Sequence, residues 1–271
     1  MTVAHRKIFL PSLLLAACTN AFSNNLPKQR VTTTTSCLFS SSSSNDGPSL
    51  PELQSTSKRL FLVRHGEVIN PGGDRPVYYG ALDVPLSELG QAEARAAGDY
   101  LQQFDLEYVV CSPLKRAIYG AEQVYERQTS MQNDILKLEG FRELDRGDWC
   151  GKTHAEIGDD MMARFDACDE SVTPDGGESF PFLKDRVLKA RDTILDKLPA
   201  GKSAAVVSHL QVTRSLLSEA MGIPIEKMTE LKVATASVSC VDYDTSTGEQ
   251  TVHFQSFKPE VGLQASKDGA N

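Results

Sequence analysis

The chain has 271 residues, 40% hydrophobic and 24% charged, which suits one globular domain with extensions. Its charge is divided: residues 1–58 hold five basic and two acidic side chains, a net of +3, and the remainder holds 23 against 34, a net of −11. A body this acidic excludes a nucleic-acid-binding role, which needs a broad basic footprint, and argues against stable membrane association.

The first segment reads as an address. His5-Arg6-Lys7 precedes an apolar stretch from Ile8 to Cys18, too short to span a bilayer but of the size of a signal-peptide core. Thr19-Asn20-Ala21 before Phe22 offers a cleavage site, no Asp or Glu occurs before Asp46, and eleven of the twenty residues from Val31 to Leu50 are Ser or Thr. Such a composition cannot bury a core. The arrangement resembles the two-part plastid presequence of algae with secondary plastids, with secretion on a Ser/Thr-rich stalk as the simpler alternative. Residues 1–50 are thus read as a targeting presequence and 51–58 as a linker.

Regular structure is expected from Arg59. Leu60-Phe61-Leu62-Val63, Tyr108-Val109-Val110-Cys111 and Ala204-Ala205-Val206-Val207 are short apolar runs suited to strands buried on both faces. Between them, Leu89, Ala92, Ala96, Tyr100 and Phe104 recur at helical spacing, as do Leu114, Ala117, Ala121 and Val124, and later Leu183, Val187, Ala190, Ile194 and Leu198. Ser112-Pro113 reads as an N-cap followed by proline at the first helical position. Val238–Asp242 and Thr251–Phe257 read as a hairpin, and residues 259–271 as a loose tail. Alternating strands and helices predict a three-layer α/β domain over 59–258, with its site beyond the carboxyl ends of the strands.

Three of the apolar runs end in chemically capable residues: Arg64-His65-Gly66, Ser112 leading to Lys115-Arg116, and Ser208-His209. Arginine forks match phosphate oxygens, one histidine can act as a nucleophile, and a second can donate to the phosphoryl group. Gly66 would let a main-chain N–H approach an anion. A carboxylic acid must protonate the departing alkoxide, and spacing alone leaves Glu143, Asp145 and Glu67 open for that role. Cys18, Cys37, Cys111, Cys150, Cys168 and Cys240 show no CxxC or Cys/His ligand spacing.

The motifs, in order, resemble those of the histidine phosphatase (phosphoglycerate mutase-like) superfamily. Leu62 to Glu67 matches its RHGE signature, Gly80 to Ser87 its G-x-x-D stretch, and Cys111 to Ala117 its second arginine motif. Glu143 to Gly151 resembles the acid loop, Gly176 to Ser179 the GGES element, and Val207-Ser208-His209 the second histidine motif. The resemblance implies an α/β/α sandwich around a mostly parallel sheet. It implies His65 as the phosphorylated nucleophile, Arg64, Arg116 and His209 as phosphoryl holders, Glu143 as proton donor, and neither metal nor organic cofactor.

Gly66, Gly80, Asn70 and Leu210 complete the expected substrate contacts, although Asn70 falls one place early and Leu210-Gln211 replaces two glycines. Only 65 residues separate Glu143 from His209, as in the compact phosphatase branch rather than the mutases. The resemblance therefore implies a phosphomonoesterase acting on a small phosphorylated metabolite. The alternatives are a mutase-type phosphotransferase and a catalytically weak phospho-ligand-binding module. Thr153 to Pro181 is expected to form the lid, His154 and His253 to be structural or solvated, and Cys150 to offer a redox-sensitive thiol. Fused to a fluorescent protein, residues 1–50 are expected to deliver it to plastids; fluorescence elsewhere would refute the targeting assignment.

Overall fold

The computed structural model describes residues 47–263 and 269–270, so the presequence assigned to residues 1–50 lies almost wholly outside the described residues. A six-stranded sheet forms the centre, built from β1 (Ser57–Arg64), β3 (Leu106–Cys111), β4 (Leu136–Lys137), β5 (Ser203–Ser208), β6 (Val238–Asp244) and β7 (Gln250–Phe257). Its order is β4-β3-β5-β1-β6-β7. The first four of these pair in parallel, and β6 and β7 are antiparallel. A separate pair joins β2 (Val68–Ile69) to β8 (Gly269–Ala270).

The apolar runs are continuous because both faces of the sheet are covered. Along β1, Leu60 and Leu62 enter one core layer and Phe61 and Val63 the other, as the two-residue strand repeat requires. The first layer takes Leu183, Val187 and Ile194 from α5 (Phe180–Lys197), with Val212 and Leu216 from α6 (Leu210–Ala220). The second takes Ala97 and Leu101 from α1 (Glu88–Leu101), with Ala117, Ala121 and Val124 from α2 (Lys115–Tyr125). Two short helices, α3 (His154–Ile157) and α4 (Asp159–Asp166), close the first face. Among the described residues no helix is long and apolar enough to cross a membrane.

Four expectations need correction. The 51–58 linker is docked: Leu50 packs on the second core layer, the Pro51 carbonyl accepts from Arg59, and β1 starts at Ser57. The tail is not wholly loose, because Gly269 and Ala270 satisfy the exposed edge of β2. Ser112 does not cap α2; its hydroxyl pairs with His209, and the N-cap moves to Leu114. Thr153–Pro181 is anchored to the core rather than laid over the site as a lid, since Met162, Phe165 and Val172 pack with Trp149 and Phe180.

One close approach sets the geometry beyond β1. A methyl group on Gly66 would overlap the Gly90 backbone, and one on Gly90 would overlap the carbonyl of Glu67. The turn after β1 therefore lies directly on helix α1. Gly90→Ala is expected to cost about 1–3 kcal/mol in urea unfolding despite alanine's better helix propensity. Gly262→Ala, where an added methyl meets nothing within 4 Å, is the control; equal stability of the two variants would refute the contact.

Candidate active site

The carboxyl ends of the parallel strands deliver Arg64 and His65 from β1, Ser112 from β3, and His209 from β5. The loop after β4 brings Glu143 and Arg146. The His65 backbone is clamped, its N–H donating to Ser208 and its carbonyl accepting from Ala236 at 2.9 and 3.0 Å. Its ring Nδ1 lies 2.7 Å from the Gly66 carbonyl. A carbonyl can only accept, so Nδ1 carries the proton and Nε2 keeps its lone pair. The His209 ring stands edge-on to His65 with centroids 5.1 Å apart, its Nε2 2.7 Å from the Ser112 hydroxyl and its Nδ1 without a partner among the described residues.

The two arginines are buried and held by carbonyl groups rather than carboxylates. Arg64 Nη1 donates to Val233 at 2.7 Å, and Arg116 donates to Leu82 and Gly80 at 2.5 and 2.7 Å. Among the described residues both Nε atoms are buried without partners. Carbonyl groups orient a guanidinium without cancelling its charge, which leaves the site set for an anion. Helix α6 starts here with His209 as its N-cap, no side-chain cap and no acid in its first turn. Burial first, then Arg116 and Arg64, hold His65 well below the ordinary 6.5; burial, Arg116 and His65 do the same for His209.

Glu143 is buried, with one carboxylate oxygen accepting from the Leu144 amide at 2.8 Å and the other from the Gln211 amide at 3.3 Å. Its loop is buttressed by the Gly176–Ser179 element. Glu178 accepts from the Asp145 amide and pairs with Arg186, whose guanidinium donates to the carbonyls of Gly140, Arg142 and Glu143. Sequence reasoning chose Glu143 only by resemblance and missed Arg186.

A cavity of about 480 Å³ opens beside these groups, lined by Arg64, His65, Glu143 and Leu210, by Asn70 and the Pro76–Gly80 loop, and by Arg146 and His154. Arg116, His209 and Gly66 are set back from its lining. The glycine at 66 answers packing against α1, where a side chain would overlap the Gly90 backbone. Asn70 is also reassigned: its amide donates to Gly73 and Arg75 and accepts from Gly72, so it closes its own loop. Gly80, at φ +42°, supplies the carbonyl that holds Arg116.

The Pro76–Gly80 loop and Gly269–Ala270 take the covering position expected of Thr153–Pro181, from which only His154 reaches the cavity. His154 pairs with Asp159 at 2.9 Å, and His253 is tied to Asp242 at 2.7 Å, far along the sheet. Burial and then Asp145 raise the Cys150 thiol, the opposite of an activated thiolate. Sequence reasoning also missed Glu93, a buried carboxylate on α1 that accepts from the Glu67 amide at 2.8 Å and pairs with Lys258.

A family model for the histidine phosphatase superfamily, branch 1, matches residues 60–255. The chain belongs to that superfamily. A bifunctional protein of Mycobacterium tuberculosis is 32% identical over 191 residues, 69% of this chain and 51% of its own length, so the chain spans about half of that relative. A 2,3-bisphosphoglycerate-dependent phosphoglycerate mutase of Cytophaga hutchinsonii is 28% identical over 76% of this chain and 97% of its own. Among solved structures, the mycobacterial glucosyl-3-phosphoglycerate phosphatase superposes with a TM-score of 0.63 and 26% identity, covering 74% of this chain and all of its own. The sheet, helices and strand-end site described above are thus those of a histidine phosphatase fold.

In this member of the superfamily, His65 and His209 bind protons less readily when folded than when unfolded. Their contribution to stability is present above 6.5 and is lost as pH falls below it toward their folded values. Urea unfolding is expected to show falling stability from about pH 7 to 5, with a shallower fall in a His65→Gln/His209→Gln variant. Equal slopes would refute the assignment.

Proposed function

We propose that the chain is a phosphomonoesterase that hydrolyses a small phosphorylated metabolite through a phosphohistidine on His65. The observation that carries this reading is the tautomer of His65, whose proton is held on Nδ1 by the Gly66 carbonyl while Nε2 stays unprotonated beside two uncompensated guanidinium groups. A dianionic phosphoryl group supplies the charge that Arg64 and Arg116 lack. His65 Nε2 attacks phosphorus, the ester P–O bond breaks, and Glu143 gives its proton to the departing alkoxide. Water then attacks the phosphohistidine, its proton passes to the Glu143 carboxylate, and the P–N bond breaks to restore His65.

His209 and the amino end of α6 stabilise the oxygens as charge spreads over them. Hydrolysis is preferred to transfer because only 65 residues separate Glu143 from His209, the compact spacing of the phosphatase branch. Delivery to a plastid through residues 1–50 belongs to the same proposal, resting on the acid-free, Ser/Thr-rich composition of that segment.

A panel of phosphate esters assayed for released phosphate against transferred phosphate tests the reaction. Release is expected in the presence of a chelator, with His65→Ala losing turnover. Transfer without release would favour the mutase, and no turnover by the folded protein the binding module. Glu143→Gln is expected to slow alkyl phosphates by about 10²–10⁴-fold and p-nitrophenyl phosphate much less, because p-nitrophenolate leaves without a proton. Equal losses on both would remove Glu143 as the acid.

A further inference from the structure

The superfamily chemistry accounts for Arg64 and Arg116, yet a third guanidinium lines the same cavity. Arg146 is 6% exposed, sandwiched with its guanidinium carbon 4.7 Å from the Tyr78 ring centroid and 5.2 Å from that of Phe165. Among the described residues it makes no side-chain hydrogen bond and no ion pair, and its Nη1 is buried without a partner. Two aromatic faces fix the plane of the group but do not neutralise it. A guanidinium this desolvated, with donors unused, is costly unless something anionic arrives.

Its position relates it to the phosphoryl site. The Gly80 carbonyl holds Arg116 at 2.7 Å, and the stem of Arg146 packs against the same residue, its Cγ 3.0 Å from where a Gly80 side chain would begin. Both arginines therefore rest on one residue of backbone, and Arg146 borders the same cavity as Arg64, His65 and Glu143.

Charge bookkeeping points the same way. Four arginines, at 64, 116, 146 and 214, share this region with four carboxylates: Glu143 acts on all of them, Glu93 on Arg64, Asp83 on Arg116, and Asp166 on Arg146 and Arg214. Asp166 forms no ion pair with Arg146 within 4.0 Å, and Arg214 is spent on the Leu231 carbonyl and Gln211. With the histidines neutral, a phosphoryl dianion balances Arg64 and Arg116. Among the described residues Arg146 is left without a directly paired carboxylate.

We propose that Arg146 is a specificity-determining residue that binds a second anionic group carried by the leaving group, so that the enzyme selects phosphomonoesters of small acidic alcohols or bisphosphates over those of neutral alcohols. This rests on the phosphomonoesterase reading. The planar fork pairs bidentately with a carboxylate or a phosphate, and the tyrosine and phenylalanine faces hold it ready before substrate arrives.

The decisive comparison uses substrates that differ only in the second charge. 3-Phosphoglycerate is set against glycerol 3-phosphate for a carboxylate, and fructose 1,6-bisphosphate against fructose 6-phosphate for a phosphate. The wild-type chain is expected to favour one or both anionic members in kcat/KM, and the favoured pair identifies which anion is taken. Arg146→Met is expected to lower that preference ratio by at least about tenfold, mainly through KM, and Arg146→Lys to restore part of it. An unchanged ratio, with both members of a pair slowed alike, would make Arg146 structural and overturn the proposal, as would a wild type without preference in either pair. Calorimetric binding of the same four compounds separates this from failure of the phosphatase reading. If the wild type turns over none of them, tighter binding of an anionic member that Arg146→Met abolishes supports the subsite, and equal binding overturns it.

Discussion

The site depends on positive charge that is oriented but not cancelled. Arg64 and Arg116 are fixed by the carbonyl groups of Val233, Leu82 and Gly80, whose partial charges suffice to aim a guanidinium and not to neutralise it. Had carboxylates done the aiming, each would compete with a phosphoryl group for the same forks. Burial first, and then the same arginines, hold His65 and His209 below the ordinary histidine range, so one arrangement both attracts the anion and preserves the nucleophile that attacks it.

Holding such a site together falls to groups outside it. Gly66 against Gly90 brings the first turn onto helix α1, and Glu93 ties that turn down through the Glu67 amide with Lys258 as its counter-charge. On the opposite side, Arg186 takes three carbonyls of the acid loop and is itself balanced by Glu178. Each buried charge in these supports is paired, in contrast to those facing the substrate. Paired charges give fixed geometry; unpaired ones bind ligand.

How much of this was legible in the sequence follows from the range of the forces involved. The strands were readable because burial on both faces leaves an uninterrupted apolar run, and the strand-end residues because a parallel sheet gathers its carboxyl ends. Partnerships across long separations were not: nothing near Asn70 announces that its amide is used up by Gly72, Gly73 and Arg75, and nothing near Ser112 shows its pairing with His209, 97 positions on. The covering segment was misplaced for a related reason. Met162, Phe165 and Val172 look like a lid when the chain is read linearly, but Trp149 and Phe180 offer them a dry core, and burial there outweighs exposure over a cavity.

Arg146 shows where such reading stops and geometry takes over. In the sequence it is one cation in an acid-rich loop, where a solvated ion pair is the ordinary outcome. The fold instead puts it between two rings and keeps Asp166 out of pairing distance, a placement whose cost stability alone does not offset. Gly147, at φ +47°, turns the chain there and presses against Asp175 and Gly176, so the loop cannot swing the guanidinium out to water without breaking its seat on the Gly176–Ser179 element. The element that steadies the proposed acid, Glu143, therefore also confines Arg146. Proton delivery and recognition of the leaving group are built on a single rigid loop, which lets selectivity and catalysis act on the same bound geometry.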